Sequence, residues 1–592
     1  MKLPFKINHG NLTELFSPFY FLLFRRNYLL ISLLIGFGAG VFAILFTYAI
    51  EIFTKIFLEG IVGYIQPKPA GEGGISESYT LVFKHPLLLP LVVGLGGLLS
   101  GLLTYFFSPY SAGVGTDAAI RAFHKEEKLS IKDSIVKLIT SAITIGTGGV
   151  SGREGPIALI GAGLGSALTH YFKMGERERR IFLAVGLGAG IAAIFKAPLA
   201  GAIISGEVFF RKDFDIETTI LSFIACIVAY TTYGLYFGFQ PIFGATIPPH
   251  ITPLHLPFYV GLGIFCALIV RFFLKIFFLI KNFFDLLQAP FFLKPLIGGI
   301  ITGFIGSITP VAIGNGYGWL QLLMDGKIMD PLFVALGMLG VTFGVSFTLG
   351  SGGSGGVFGP SVMIGGLAGA LYTLILNKYA DFNLHLPSFM IVGMVSLFGS
   401  AAKAPLSTLL LIAEMTGGYS LLFPGMLSVF TSYYLSGKES IFPSQVETKL
   451  DSPAFKKEYG IYALEKLKVK DFMKKPITIT PETPLCEAHY LMHKHLISGL
   501  PVIENGKLLG ILTKTDLLEK PQEEWKNLLV KDIMTKKLIT IEPEESLAKA
   551  LQLMIHHGIG RLLVVDKKEK DKLIGIISRT DIGLALRKYR GE

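Results

Sequence analysis

Apolar residues run in long stretches as far as about position 448, and in short alternating strings beyond it. The stretches 29–47, 87–107, 182–195, 258–273, 332–349 and 421–435 are predicted as membrane-embedded helices. Several approach the roughly 20 residues needed to cross a bilayer, while others are shorter and broken by glycine. Interrupted spans repeated this often predict a bundle of tilted, broken helices. After position 449 charge becomes dense, and β-branched strings such as 477–480 alternate with helical stretches. The expected organisation is an N-terminal segment at 1–27, a membrane domain at 28–448 and a soluble tail at 449–592.

Composition agrees with lipid as solvent. Only 16% of residues are charged, against about 25% in soluble domains. The net charge of +11 raises nucleic acid as a partner. The basic residues flank the spans or sit in a mixed-charge tail, so positive-inside topology explains them and no nucleic-acid binding is expected. The first 27 residues lack a basic, apolar and small-residue cleavage pattern, so no secretory signal is expected. Cys226, Cys266 and Cys486 have no CxxC spacing, which predicts neither a metal site nor a disulfide framework.

Both parts are duplicated. Gly-Thr-Gly-Gly-Val-Ser-Gly-Arg-Glu-Gly-Pro at 146–156 is echoed by Gly-Ser-Gly-Gly-Ser-Gly-Gly-Val-Phe-Gly-Pro at 350–360, an offset of 204 residues. Lys-Ala-Pro-Leu at 196–199 returns unchanged at 403–406, an offset of 207, and each copy precedes a glutamate, Glu207 or Glu414, by the same interval. Two homologous halves, about 28–240 and 257–440, are predicted. In the tail, Val-Lys-Asp-Phe-Met at 469–473 returns as Val-Lys-Asp-Ile-Met at 530–534, and Gly510 to Asp516 is matched by Gly575 to Asp581. Each tail unit, about 468–520 and 529–588, reads strand-helix-strand-strand-helix.

Arg153 and Glu154 are the only Lys, Arg, Asp or Glu between Lys137 and Lys173. Charge at bilayer depth costs several kcal/mol, about 2.5 to 3.5 on the lenient insertion scale, so these residues are functional candidates, with a structural ion pair as the alternative. Gly155-Pro156 opens one apolar helical stretch and Gly359-Pro360 another. Proline suits a first helical turn. A helix starting inside the membrane leaves its first N–H groups and positive dipole end unsatisfied, and an anion satisfies both. Two such ends, one per half, can aim at a shared midplane site. The glycines allow bare backbone to approach an ion, or simply pack helices. A carboxylate there has the anion's sign. Glu154 can therefore occupy the site and leave on protonation, acting as a proton-sensitive gate.

These segments together resemble the CLC family of chloride channels and proton-coupled chloride exchangers. The resemblance implies a mainly α fold, a polytopic bundle of tilted, broken helices in two inverted repeats, followed by a soluble α/β tail. It also implies a homodimer with one pore per subunit, cytoplasmic termini and placement in the plasma or inner membrane. Glu154 matches the external gating glutamate. The implied anion site comprises Gly113, Val114, Gly115, Gly152, Arg153, Gly155, Pro156, Gly356, Val357, Phe358 and Phe442. Three positions depart from the family pattern: Val114 stands for a serine and Asp117 for a proline, Phe442 stands for the inner tyrosine, and Val208 stands at the proton-relay glutamate, one residue after Glu207. A valine carries no proton, which favours a channel or weakly coupled transport, with stoichiometric proton–chloride antiport as the alternative. Glu207 reads as structural because Glu414 holds the same offset. Lys196 and Lys403 are candidates for positive potential along an anion path or for snorkelling helix-end lysines.

The tail matches a CBS-domain pair. That resemblance implies an adenine nucleotide (ATP, ADP or AMP), with Asp516 and Asp581 on ribose hydroxyls and Thr513, Thr515, Ser578 and Thr580 on sugar or phosphate; the alternative is a pair that binds nothing and braces a dimer. No cofactor is required for transport. HExxH, P-loop and GxSxG patterns are absent from the membrane part, and its histidines, His85, His170, His250 and His255, fall near span ends, so no enzyme is expected.

Overall fold

The computed structural model describes residues 26–73, 79–80, 82–248, 252–380, 382–458, 461–567, 569 and 571–590. Most of the expected N-terminal segment, residues 1–25, therefore lies outside the described residues, as does His250. The chain divides into two compact units, 1–452 and 453–592.

The first unit is helical, and its helices fall into two matching series. The first half comprises α1 (Arg26–Thr54, continued by a π-helical turn at Lys55–Val62), α2 (Leu89–Phe107), α3 (Gly115–Lys125), α4 (Ile131–Gly146), α5 (Glu154–Tyr171), α6 (Glu176–Phe195), α7 (Pro198–Glu207) and α8 (Ile216–Phe237). The second comprises α9 (Leu256–Leu286), α10 (Lys294–Ile308), α11 (Tyr317–Met324), α12 (Pro331–Gly350), α13 (Phe358–Ala380), α14 (Leu386–Ala401), α15 (Pro405–Thr416) and α16 (Leu422–Leu435). Among the described residues seven helices are long and apolar enough to cross a membrane. The expected run 182–195 lies in α6, which is buried along nearly its whole length, and the run 421–435 is covered by a helix of only 14 residues. Leu30, Phe37, Leu91 and Leu268 are exposed on the outer faces, as lipid requires.

Lipid gives helices no hydrophobic reason to associate, so small residues set how they pack. Gly161 of α5 and Gly186 of α6 each face the other's carbonyl so closely that a Cβ would collide. Gly365 of α13 and Gly393 of α14 repeat the contact. The unchanged Lys-Ala-Pro-Leu segments have one geometry: Lys196 and Lys403 take left-handed backbone at φ 54° and 55°, an alanine at φ −130° or −127° follows, and Pro198 and Pro405 start the next helix.

The second unit opens with α17 (Pro453–Glu458) and α18 (Ile461–Lys466) and continues as two repeats. The first has α19 (Leu485–Lys494), the antiparallel pair β1 (Gly499–Glu504) and β2 (Lys507–Thr513), and α20 (Lys514–Leu518). Asn505 and Gly506, at φ 51° and 79°, form the tight hairpin turn. The second has α21 (Val530–Ile533), β3 (Thr540–Ile541), α22 (Leu547–His556), β4 (Arg561–Val565), β5 (Leu573–Ser578) and α23 (Arg579–Arg590), with β3 parallel and β5 antiparallel to β4. Each repeat completes the other. The backbone of Lys474 pairs with Ile576 and that of Thr535 with Ile511, so the two Val-Lys-Asp segments are exchanged between neighbouring sheets.

Candidate functional site

The glycine-rich segments of the two halves converge. Gly152 N–H donates to Gly356 O at 2.8 Å, Gly115 N–H to Gly355 O at 3.0 Å, and Gly355 N–H to Gly113 O at 3.1 Å. Backbone approaches backbone so closely that a Cβ on Gly155 would lie 2.5 Å from Gly356 Cα. Gly113, Val114, Gly115, Gly152, Gly155 and Gly356 are thus brought into one cluster. The starts of α5 and α13 carry the same layout, Glu154-Gly155-Pro156 and Phe358-Gly359-Pro360, with proline in the first turn and no side-chain cap on Arg153 before α5. Glu154 and Phe358 are therefore repeat-equivalent. The Phe358 ring packs between those of Phe195 and Phe398, at centroid distances of 4.5 and 3.7 Å.

Glu154 is 1% exposed. Its Oε1 accepts from the Tyr317 hydroxyl at 2.7 Å, while Oε2 has no hydrogen-bond partner. Oε2 lies against Gly152 and Gly359, at the meeting of the two helix starts. Positive helix ends favour negative charge here. Arg153 turns away from this point: its guanidinium pairs with Glu72 of the α1–α2 connection, leaving Nε buried and unpartnered. Arg153, Glu72 and Lys196 line a cavity of about 400 Å³, with Tyr233 and Gln66. Lys196 Nζ straps the α1–α2 connection by donating to Gly71 O and Phe237 O, both at 3.1 Å. Lys403 instead donates to Ser436 Oγ and Gly437 O and lies over the Tyr433 ring. The two repeat-equivalent lysines thus have different surroundings.

The departures from the family pattern are also placed. Asp117 reaches the far end of the membrane domain's sequence, accepting from Ser444 N and Oγ at 2.9 and 3.0 Å. Phe442 is buried, and the residues either side of it, Ile441 and Pro443, line a cavity of about 240 Å³ with Gly113, Val114 and Asp117. Val208 is fully buried, and its carbonyl accepts from Gln445 Nε2 at 2.7 Å. The neighbouring Glu207 uses both carboxylate oxygens on backbone N–H groups of the second half.

Two neighbours of the cluster were not singled out by sequence. Lys137 of α4 is fully buried, and its Nζ donates to Ser111 O at 3.0 Å and Gly113 O at 2.8 Å, with no carboxylate partner among the described residues. In its protonated form this amine, held beside the glycine cluster, lowers the energy of a nearby anion. A lone lysine in the otherwise uncharged stretch 134–152 was the available signal. The second, Tyr317, carried no signal, because nothing in its sequence links α11 to Glu154.

In the tail, the Gly-x-x-Ser/Thr-x-x-Asp segments are capping boxes. Asp516 Oδ2 accepts from Thr513 N and Oγ1 at 2.7 and 2.8 Å, and Asp581 Oδ2 accepts from Ser578 N at 2.9 Å and its hydroxyl at 2.5 Å. Asp581 Oδ1 pairs with Lys474 at 2.6 Å. Burial works upward on Asp581, but the Lys474 ammonium and the Ser578 donors hold its carboxyl below the usual range. A cleft of about 520 Å³ takes Thr513 and Thr515 from the first repeat with Lys514, Lys537 and Arg561. Asp516, Ser578, Thr580 and Asp581 do not line it. The six expected nucleotide contacts are therefore not gathered in this cleft.

A family model described as voltage gated chloride channel matches residues 96–437, and one described as CBS domain matches 469–523 and 530–588. Chloride channel protein CLC-f of Arabidopsis thaliana is 28% identical over 539 residues, covering 76% of this chain and 68% of that protein. The H(+)/Cl(−) exchange transporter ClcA of Salmonella typhimurium is 28% identical, covering 60% of this chain and 79% of that protein. A solved slow cyanobacterial Cl−/H+ antiporter superposes with a TM-score of 0.59 at 23% identity, covering 69% of this chain and 94% of that one, which shows a common fold. The buried carboxylate between two converging helix starts thus sits in the fold that those proteins share, and the chain belongs to the voltage-gated chloride channel, or CLC, family of integral membrane anion-transport proteins, with a CBS-domain pair following its membrane domain.

Proposed function

We propose that the protein conducts chloride through a pore within each subunit of a homodimer, channel-like or weakly coupled to protons, with Glu154 as the gate. The observation that carries this reading is the Glu154 carboxylate buried where the starts of α5 and α13 meet, with one oxygen unpartnered. An anion and this carboxylate compete for the same positive helix ends. Protonation removes the carboxylate's charge and its reason to stay. Purified protein in liposomes is expected to pass chloride with a flux that rises as pH falls, and Glu154→Ala to remove that dependence. A wild-type flux independent of pH would count against the gate.

Val208, which titrates no proton, and Glu207, whose carboxylate is committed to backbone, support weak coupling over a built-in relay. The second reading, stoichiometric antiport, draws on relatives named as exchange transporters. Uphill proton movement driven by a chloride gradient in sealed vesicles distinguishes the two.

The cleft with Thr513, Thr515, Lys514, Lys537 and Arg561 supports a regulatory adenine nucleotide in the tail, its phosphates toward the cations. Cytoplasmic termini rest on the family resemblance and on the basic residues beside the spans.

A further inference from the structure

We infer that the Tyr317 hydroxyl is a side-chain ligand of the permeating anion and, while the site holds the gate instead, the latch of its carboxylate. The inference rests on the reading of Glu154 as gate. In the structure the Glu154 carboxylate stands where an anion would replace it, so a donor to the carboxylate becomes a donor to its replacement. Tyr317 Oη donates to Oε1 at 2.7 Å. The same hydroxyl lies against the second helix start, because a Cβ on Gly359 would be 3.1 Å from it. One hydroxyl therefore touches both the gate from the first half and the backbone of the second.

A buried phenol needs a partner for its O–H. Tyr317 is fully buried, its ring edge-on to Phe243 at 5.7 Å. When Glu154 leaves, the hydroxyl is stranded unless the incoming anion accepts from it. Neither Val114 nor Phe442 carries a hydroxyl. Among the described residues the charged groups around Glu154 are Arg153, the residue before α5, and Glu72, from the α1–α2 connection, which pair with each other. Among the described residues Tyr317 is the side-chain hydrogen-bond donor to the carboxylate.

The test uses four full-length proteins: wild type, Glu154→Ala, Tyr317→Phe and the double variant. Each is checked for monodispersity, then assayed for chloride binding by calorimetry and for chloride flux across a pH series. Tyr317→Phe removes one oxygen and keeps the ring. In the Glu154→Ala background, where no gate competes, it is expected to weaken chloride binding about tenfold, the scale of a hydrogen bond to a charged group. In the wild-type background the unlatched gate is expected to move the flux-against-pH curve about one unit toward higher pH. Equal chloride affinity of the Glu154→Ala and double variants overturns the ligand role, and an unmoved curve for Tyr317→Phe overturns the latch. Retained pH dependence in Glu154→Ala removes the gate reading instead, while the affinity comparison still reads Tyr317.

Discussion

Glu207 and Glu414 cap each other's helices across the two halves of the membrane domain. Glu207, ending α7, accepts from Leu406 N and Ser407 N at the start of α15, and Glu414, within α15, accepts from Leu199 N and Ala200 N at the start of α7, all four at 2.8 Å. Residue i touching j′ while j touches i′ is the mark of a two-fold relation. Each carboxylate meets two N–H groups that a helix start leaves orphaned. Glu207→Ala is expected to destabilise the membrane domain by about 3 kcal/mol, because two buried donors lose their acceptor. Glu207→Gln is expected to cost less and to leave the pH dependence of chloride flux unchanged. Thermal unfolding in detergent and vesicle flux check the two parts; a flux curve altered by Glu207→Gln would assign this residue to the proton path.

The Arg153–Glu72 pair lies in the wall of the cavity of about 400 Å³, together with Glu51, Lys55, Glu59, Lys68 and Lys196. Neutralising Glu72 frees the guanidinium to attract anions. Glu72→Gln is expected to raise chloride flux a few-fold at low chloride and low ionic strength, and the gain is expected to shrink toward 0.15 M salt, where the screening length falls to about 8 Å. Flux measured across an ionic-strength series checks it.

Lys137 ties down the Ser111 and Gly113 carbonyls and brings a titratable amine to the glycine cluster. Lys137→Gln keeps a donor and loses the charge, while Lys137→Met loses both. If charge is what matters, both variants weaken chloride binding by tenfold or more. If bracing matters, Lys137→Met alone does so. Chloride calorimetry on the reconstituted variants separates the outcomes.

In the tail, Arg561 and Thr515 line the 520 Å³ cleft and Ser578 does not. Arg561→Ala is expected to weaken adenine-nucleotide binding to the full-length protein at least tenfold, and Ser578→Ala to change it less than twofold. Equal losses would mean that nucleotide uses the second repeat's capping box instead.

Asp581 gives the tail a pH signature. Its folded carboxyl titrates below the unfolded value near 4. The stability it contributes is therefore present above that value and is lost as pH falls through the lower folded one. Lys474→Ala is expected to lower amide-exchange protection at the start of α23 equally at pH 7 and 5, with the difference closing below about pH 4. Exchange mass spectrometry at matched intrinsic rates checks it.

Membrane character, the two duplications, the candidacy of Glu154 and the family were determined by the sequence, because each is written locally: apolar run length, repeated strings, and one acid beside one arginine in an otherwise uncharged stretch. The pairing of Glu207 with Glu414 was legible from their shared offset, although the N–H groups each accepts from were not. What touches what was decided only in three dimensions. Tyr317 lies 163 residues from Glu154 and Glu72 lies 81 from Arg153, and no local pattern carries such pairings, since they arise when broken helices from two halves fold back to one point. The tail teaches the same lesson in reverse. A motif that reads as a ligand contact, Thr513-x-x-Asp516, is first of all a helix cap, because the backbone's need to satisfy its own N–H groups is met before any ligand arrives.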